Sequence, residues 1–126
     1  MKILALFFSV FLFSSTSFSA EWGDTFFCEE THNHFISADG EFKKYKPQKF
    51  RFQLNEEKNA MVFEKTGFYK NSEFTLQSKA TFLKADNWEF YQPFMTGVYD
   101  KGLLVLAMAT TGDGITSARA TCDNFK

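Results

Sequence analysis

Side chains alternate between apolar and polar with a period of two along nearly the whole chain, and this leaves room for little but β-structure. Lys49-Phe50-Arg51-Phe52-Gln53-Leu54 is the clearest case. Successive strand side chains point to opposite faces, so Phe50, Phe52 and Leu54 are expected inward and Lys49, Arg51 and Gln53 outward. Turn chemistry punctuates the pattern. Asp39-Gly40 is a tight-turn dipeptide between Phe35-Ile36 and Phe42, and Asn55-Glu56-Glu57-Lys58 separates the clear strand from a second one over residues 60–65. Another strand is expected over residues 73–79, and an aromatic one over 88–94, where Pro93 demotes the end to an edge or bulge. Asp100-Lys101-Gly102 fits a short hairpin with Gly102 left-handed. Residues 103–110 and 115–122 then form a last pair around Thr111-Gly112-Asp113-Gly114. Seven to nine short strands without helical periodicity, repeat or linker predict an all-β fold, an antiparallel meander closing into a barrel or half-barrel.

The start of the chain reads differently. Lys2 precedes an apolar run over residues 3–13 interrupted only by Ser9, followed by a Ser/Thr-rich stretch. The run is too short to span a bilayer and has the length of a secretory h-region. Ser17-Phe18-Ser19 places small residues at both cleavage-reading positions. The expectation is a signal peptide over residues 1–19, cut after Ser19 or alternatively Ala20, and one β-barrel-like domain over 20–126. A periplasmic or secreted location follows, with no membrane anchor in the mature chain.

Export places Cys28 and Cys122 in an oxidising compartment, where an even pair closes as a disulfide. The redox alternative needs a Cys-x-x-Cys spacing that the chain lacks. A Cys28–Cys122 bridge requires the first and last strands to lie side by side. On the last strand Thr116, Ala118, Ala120 and Cys122 share one face. If that face is inward, its small residues leave room for large rings, as narrow barrels require. Of 18 Phe, five (Phe7, Phe8, Phe11, Phe13, Phe18) belong to the leader. The remaining rings favour a packed core over a ligand cavity.

Charge narrows the function classes. With 14 basic and 15 acidic side chains the chain is not basic, so no nucleic-acid partner is expected. His32 and His34 form a His-x-His that would project to one side of a strand, behind Glu29-Glu30. They are weak metal candidates for want of a placed third ligand, so neither metal nor cofactor is expected. Asp86 and Glu89 beside Trp88 are a candidate carboxylate pair for glycan hydrolysis, the enzyme alternative to a non-catalytic protein. No Gly-x-Ser-x-Gly is present. Lys43, Lys44, Lys46 and Lys49 around Tyr45 read as a solvated face or edge protection. Leu103-Leu104-Val105-Leu106-Ala107-Met108-Ala109 is apolar on both faces. If Leu103 and Val105 point inward, then Leu104, Leu106 and Met108 are the partner-binding candidates. Cover by residues 80–86 or 35–46 is favoured over a partner, and a monomer over a homodimer.

Ala120-Thr121-Cys122-Asp123-Asn124-Phe125, with Phe27-Cys28 near the mature start, resembles short exported proteins of marine bacteria and their phages. More remotely, the layout resembles the periplasmic inhibitors of C-type lysozyme, small barrels whose N-terminal aromatic-Cys strand is bridged to a C-terminal Cys. That resemblance implies inhibition of a wall-degrading hydrolase. The inhibitors' Ser-Gly-x-x-Tyr loop has only Thr66-Gly67-Phe68-Tyr69 as its nearest counterpart, and no functional residue is transferred. The leading expectation is a non-catalytic barrel that binds a protein partner or an apolar ligand.

Overall fold

A computed structural model describes residues 20–67, 69–77, 86–110 and 112–125. Residues 1–19, where a signal peptide is expected, and most of the residue 80–86 stretch lie outside the described residues. Nine antiparallel strands follow in chain order: β1 (Thr25–Ser37), β2 (Phe42–Lys44), β3 (Lys49–Asn55), β4 (Ala60–Phe63), β5 (Glu73–Leu76), β6 (Asn87–Gln92), β7 (Met95–Asp100), β8 (Leu103–Thr110) and β9 (Gly114–Phe125). No helix occurs among the described residues. The sheet runs in meander order from β3 to β9, and β9 pairs back onto β1. Eight strands therefore close a barrel, and closure removes their edges. The ninth, β2, attaches to β1 beyond the point where β3 leaves it. β3 pairs with Thr25 to Glu29 and β2 with His34 to Ile36.

Closure is fastened where the sequence implied. Cys28 lies directly opposite Cys122 in the β1–β9 ladder, and the two are joined across a sequence separation of 94. Both face the interior, together with Thr116, Ala118 and Ala120 of β9. Phe50, Phe52 and Leu54 point inward from β3 as expected. The small β9 residues leave the centre to rings. Phe26 stacks on Phe52 at 4.7 Å between centroids and meets Tyr99 edge-on, while Trp88 stacks on Tyr99. Phe63, Phe74 and Phe90 continue the chain of contacts. The Trp88 indole N–H donates to Met61 Sδ at 3.3 Å, so the buried donor is satisfied.

Several strand ends differ from expectation. β4 stops at Phe63 because the chain bends through residues 65–67, where Gly67 has φ +92°. β6 stops at Gln92, and Pro93 opens a two-residue turn to β7 with Phe94 left-handed at φ +70°. Lys101 and Gly102 both have positive φ, the signature of the type I′ hairpin that fits strand twist. β9 runs further than expected at both ends, because β1 pairs with it from Ser37↔Gly114 to Thr25↔Phe125.

One irregularity repositions side chains. The β1–β9 register slips between Glu30, opposite Ala120, and His32, opposite Arg119. Thr31 is the extra residue of a bulge, and facing parity reverses across it. Phe26, Cys28 and Glu30 face inward before the bulge, and Asn33 does so after it.

Candidate functional site

The bulge determines where the histidines go. His32 and His34 both lie on the outer face, their rings edge to face at 5.8 Å, so the expected juxtaposition exists. Their surroundings are cationic or neutral. Arg119 is opposite His32, while Ser117 and Lys44 flank His34. The His32 ring meets Thr31 Oγ1 at 2.9 Å, and the Arg119 guanidinium reaches the same hydroxyl. Among the described residues no group of three His, Cys, Asp or Glu side chains is placed to hold a metal ion. Glu30, the carboxylate nearest them on the inner side of β1, is turned into the barrel.

Glu30 belongs to a polar cluster at the barrel end from which β1 and β9 project. It is 3% exposed. The Asn33 side-chain amide donates to Oε2 at 3.0 Å, and the Gln48 backbone N–H donates to Oε1 at 3.1 Å. Burial raises the Glu30 carboxyl above its ordinary value of 4.5, against the opposing pull of those two donors. Tyr69 packs in the same region, and burial followed by the Glu30 charge pushes its phenol upward. Tyr69, from the run nearest the lysozyme-inhibitor loop, thus faces the core rather than a partner. The gap between Glu30, Phe50, Tyr69, Leu104 and Leu106 is too small to admit a water molecule. This part of the interior is filled.

The candidate carboxylate pair of the enzyme alternative, Asp86 and Glu89, is not brought to one face. Glu89 projects outward from β6, opposite Val98 on β7. Asp86, left-handed at φ +56°, lies just before β6 and acts electrostatically on the inward Tyr99 phenol. Burial, then the neighbouring Asp100 charge, raises the Asp86 carboxyl, with Lys101 opposing. A recess of about 440 Å³ lies alongside, lined by Gln77, Asn87, Trp88, Glu89, Val98, Tyr99 and Asp100.

The doubly apolar strand is corrected in its facing. Leu104 and Leu106 point into the barrel at 1% and 2% exposure, and Met108 shares their side. The outward residues of β8 are Leu103, Val105, Ala107 and Ala109. The reason is steric: Leu104 and Leu106 pair with Ala120 and Ala118, whose small side chains leave them interior volume. Residues 35–46 do not cover the outer face. They lengthen the sheet sideways, with Phe42 and Tyr45 exposed.

What remains outside is an apolar surface that the period-two reading did not assemble. Ile36 lies between Phe42 on β2 and Ile115 on β9, and Ile115 lies opposite Ala109 on β8. Ala109 N–H donates to the Phe94 carbonyl, which brings the β6–β7 turn to the end of the row. Phe42, Ile36, Ile115 and Phe94 are all more than half exposed. Val105 and Val98 extend this surface toward the middle of the barrel wall. A signal was present in each segment, an outward Ile or Phe at a polar position, but only the pairing register aligns them.

The fold and this outer surface define the class: a closed, disulfide-fastened, eight-stranded antiparallel barrel with an added edge strand. No family model, curated protein or solved structure matches the chain.

Proposed function

We propose that the chain is an exported, non-catalytic binding protein, periplasmic or secreted, that recognises a protein partner with the outer face of β2, β1, β9, β8 and β7. The observation that carries this reading is the exposed row Phe42–Ile36–Ile115–Ala109–Phe94, set against an interior packed with its own rings. Contiguous exposed apolar surface of this kind is uncommon on a protein that works alone. The filled interior favours an external protein partner over an apolar ligand held inside. The leader-like segment and the buried Cys28–Cys122 bridge support a location outside the cytoplasm.

Photo-reactive side chains placed at Val105 and, as a control, at Glu57 on the β3–β4 turn test this in the source cell. A discrete protein adduct from position 105 and none from 57 is expected. Equal labelling at both positions, or a small apolar molecule retained in the native mass of the purified chain, overturns the reading. Turnover of cell-wall glycan that is lost in Glu89→Gln overturns its non-catalytic part.

A further inference from the structure

The outer face is banded, and its bands are complementary to one another. The β1–β9 ribbon continues past the last β3 pairing, flanked there by β2 on one side and β8 on the other. At the tip, the turns after β1 and β8 are tied together by the Ala38 N–H and the Asp113 carbonyl, and they carry exposed Asp39 and Asp113. The apolar row of Phe42, Ile36 and Ile115 comes next. Two residues further along each strand lies a band of Lys44, His34 and Ser117, and beyond it His32 and Arg119. The His34 ring leans on Phe42 at 5.1 Å and joins the apolar row to the basic band. Among the described residues neither Lys44 nor Arg119 makes an ion pair, and neither does Asp39 or Asp113.

We infer that this face binds a second copy of the same chain, about a two-fold axis lying along the apolar row. The inference rests on the binding face proposed above and names its occupant. A two-fold interface sets the same patch against itself. Rotation about an axis along the row keeps each apolar residue opposite its own copy, with Ile36 on Ile36 and Ile115 on Ile115. The same rotation exchanges the two sides of the row. The acidic tip of one copy then lies over the Lys44–His34 band of the other, twice per dimer. A two-fold axis along the strands would instead set acidic tip on acidic tip and basic band on basic band. Charge therefore selects one of the two face-to-face arrangements. β2 marks the side of the contact without pairing edge to edge, because Lys43 and Lys44 on a three-residue strand oppose addition of another strand.

Sedimentation of the chain lacking its leader tests the inference, and a concentration-dependent dimer is expected. Ile115→Asp should give a folded monomer at concentrations where the wild type is dimeric, because two carboxylates would meet across the axis. Lys44→Glu alone and Asp39→Lys with Asp113→Lys together should each weaken the dimer. All three changes combined should restore it, since the bands are then exchanged but still complementary. These surface changes leave the core untouched, so they decide the matter even if Ile115→Asp fails to fold. A wild type that stays monomeric overturns the second-copy inference. If position 105 of that monomer still cross-links to another protein, the binding-face reading stands and its occupant is a different partner. A dimer indifferent to every one of these substitutions forms through another surface and also overturns the second-copy inference, and the position-105 cross-link then decides the binding-face reading separately.

Discussion

At the scale of single residues, Glu30 is a buried carboxylate whose chemistry the fold alters. The bulge at Thr31 turns Asn33 inward after Glu30, so the Asn33 amide can meet a carboxylate held at 3% exposure. Burial raises the carboxyl in the folded state, so the native protein keeps this proton to higher pH than the unfolded chain does. Glu30's contribution to stability is therefore fully present below its ordinary value of 4.5 and is lost as pH rises through the raised folded value. Glu30→Gln should remove that part of the slope and be more stable than wild type at neutral pH. The urea midpoint measured across pH checks this. The replacement is tolerable because Asn33 Oδ1 has no hydrogen-bond partner among the described residues, so an amide flip lets it accept from the new Gln. Asp86 is raised as well and pulls in the same direction, so the difference between variant and wild type, not the wild-type slope alone, isolates Glu30. If the two profiles run parallel, Glu30 is not the titrating group. A second expectation concerns His32 and His34. With Arg119 and Lys44 beside them, zinc added to dialysed protein should leave the melting temperature unchanged. A saturable rise that His34→Ala abolishes would show a metal site.

At the scale of elements, β8 separates what was legible in the sequence from what was not. Apolar residues on both faces give the strand no polarity of its own, so periodicity locates it at Leu103–Thr110 without saying which side is inside. The facing is imposed by its neighbour. Inward Ala118 and Ala120 on β9 were readable, and the β8–β9 register sets Leu106 and Leu104 opposite them. Leu106→Asp should therefore unfold the protein or lower its melting temperature sharply, because it buries an unpaired charge among rings. Val105→Asp, one residue away at 38% exposure, should remain folded with stability changed by about 0.5 kcal/mol or less. Thermal melts of the pair check the facing, and equal destabilisation would contradict it. The strands β3 and β9 were legible because each has one polar and one apolar face. The bulge in β1 was not, because Glu29-Glu30-Thr31-His32-Asn33-His34 has no apolar side from which parity can be read. The exposed row was illegible for a related reason. Its members come from β2, β1, β9, β8 and the β6–β7 turn, and they meet only through lateral pairing.

At the scale of the whole molecule, closure depends on one seam. β1 and β9 are the longest strands, distant in sequence, and their ladder runs from one end of the barrel to the other. Every other seam of the meander joins strands nearer one another along the chain, so none of the others must close so long a loop. That entropic cost of bringing the ends together is the term the Cys28–Cys122 bond removes from the unfolded ensemble. The β1–β9 hydrogen bonds and the ring core do not depend on the bond for their geometry. Replacing both cysteines by Ala should therefore leave a folded barrel with an unchanged circular-dichroism spectrum, destabilised by about 2–5 kcal/mol. Most of that loss should appear as a lower denaturant midpoint. Because the unfolded chain is no longer constrained, the dependence on denaturant should steepen if it exposes more surface. Alkylation of the native protein without reductant should find no reactive thiol, since both cysteines are buried and bonded. Two thiols that alkylate in the native protein, or a double variant as stable as its parent, would show that the seam is held by packing alone.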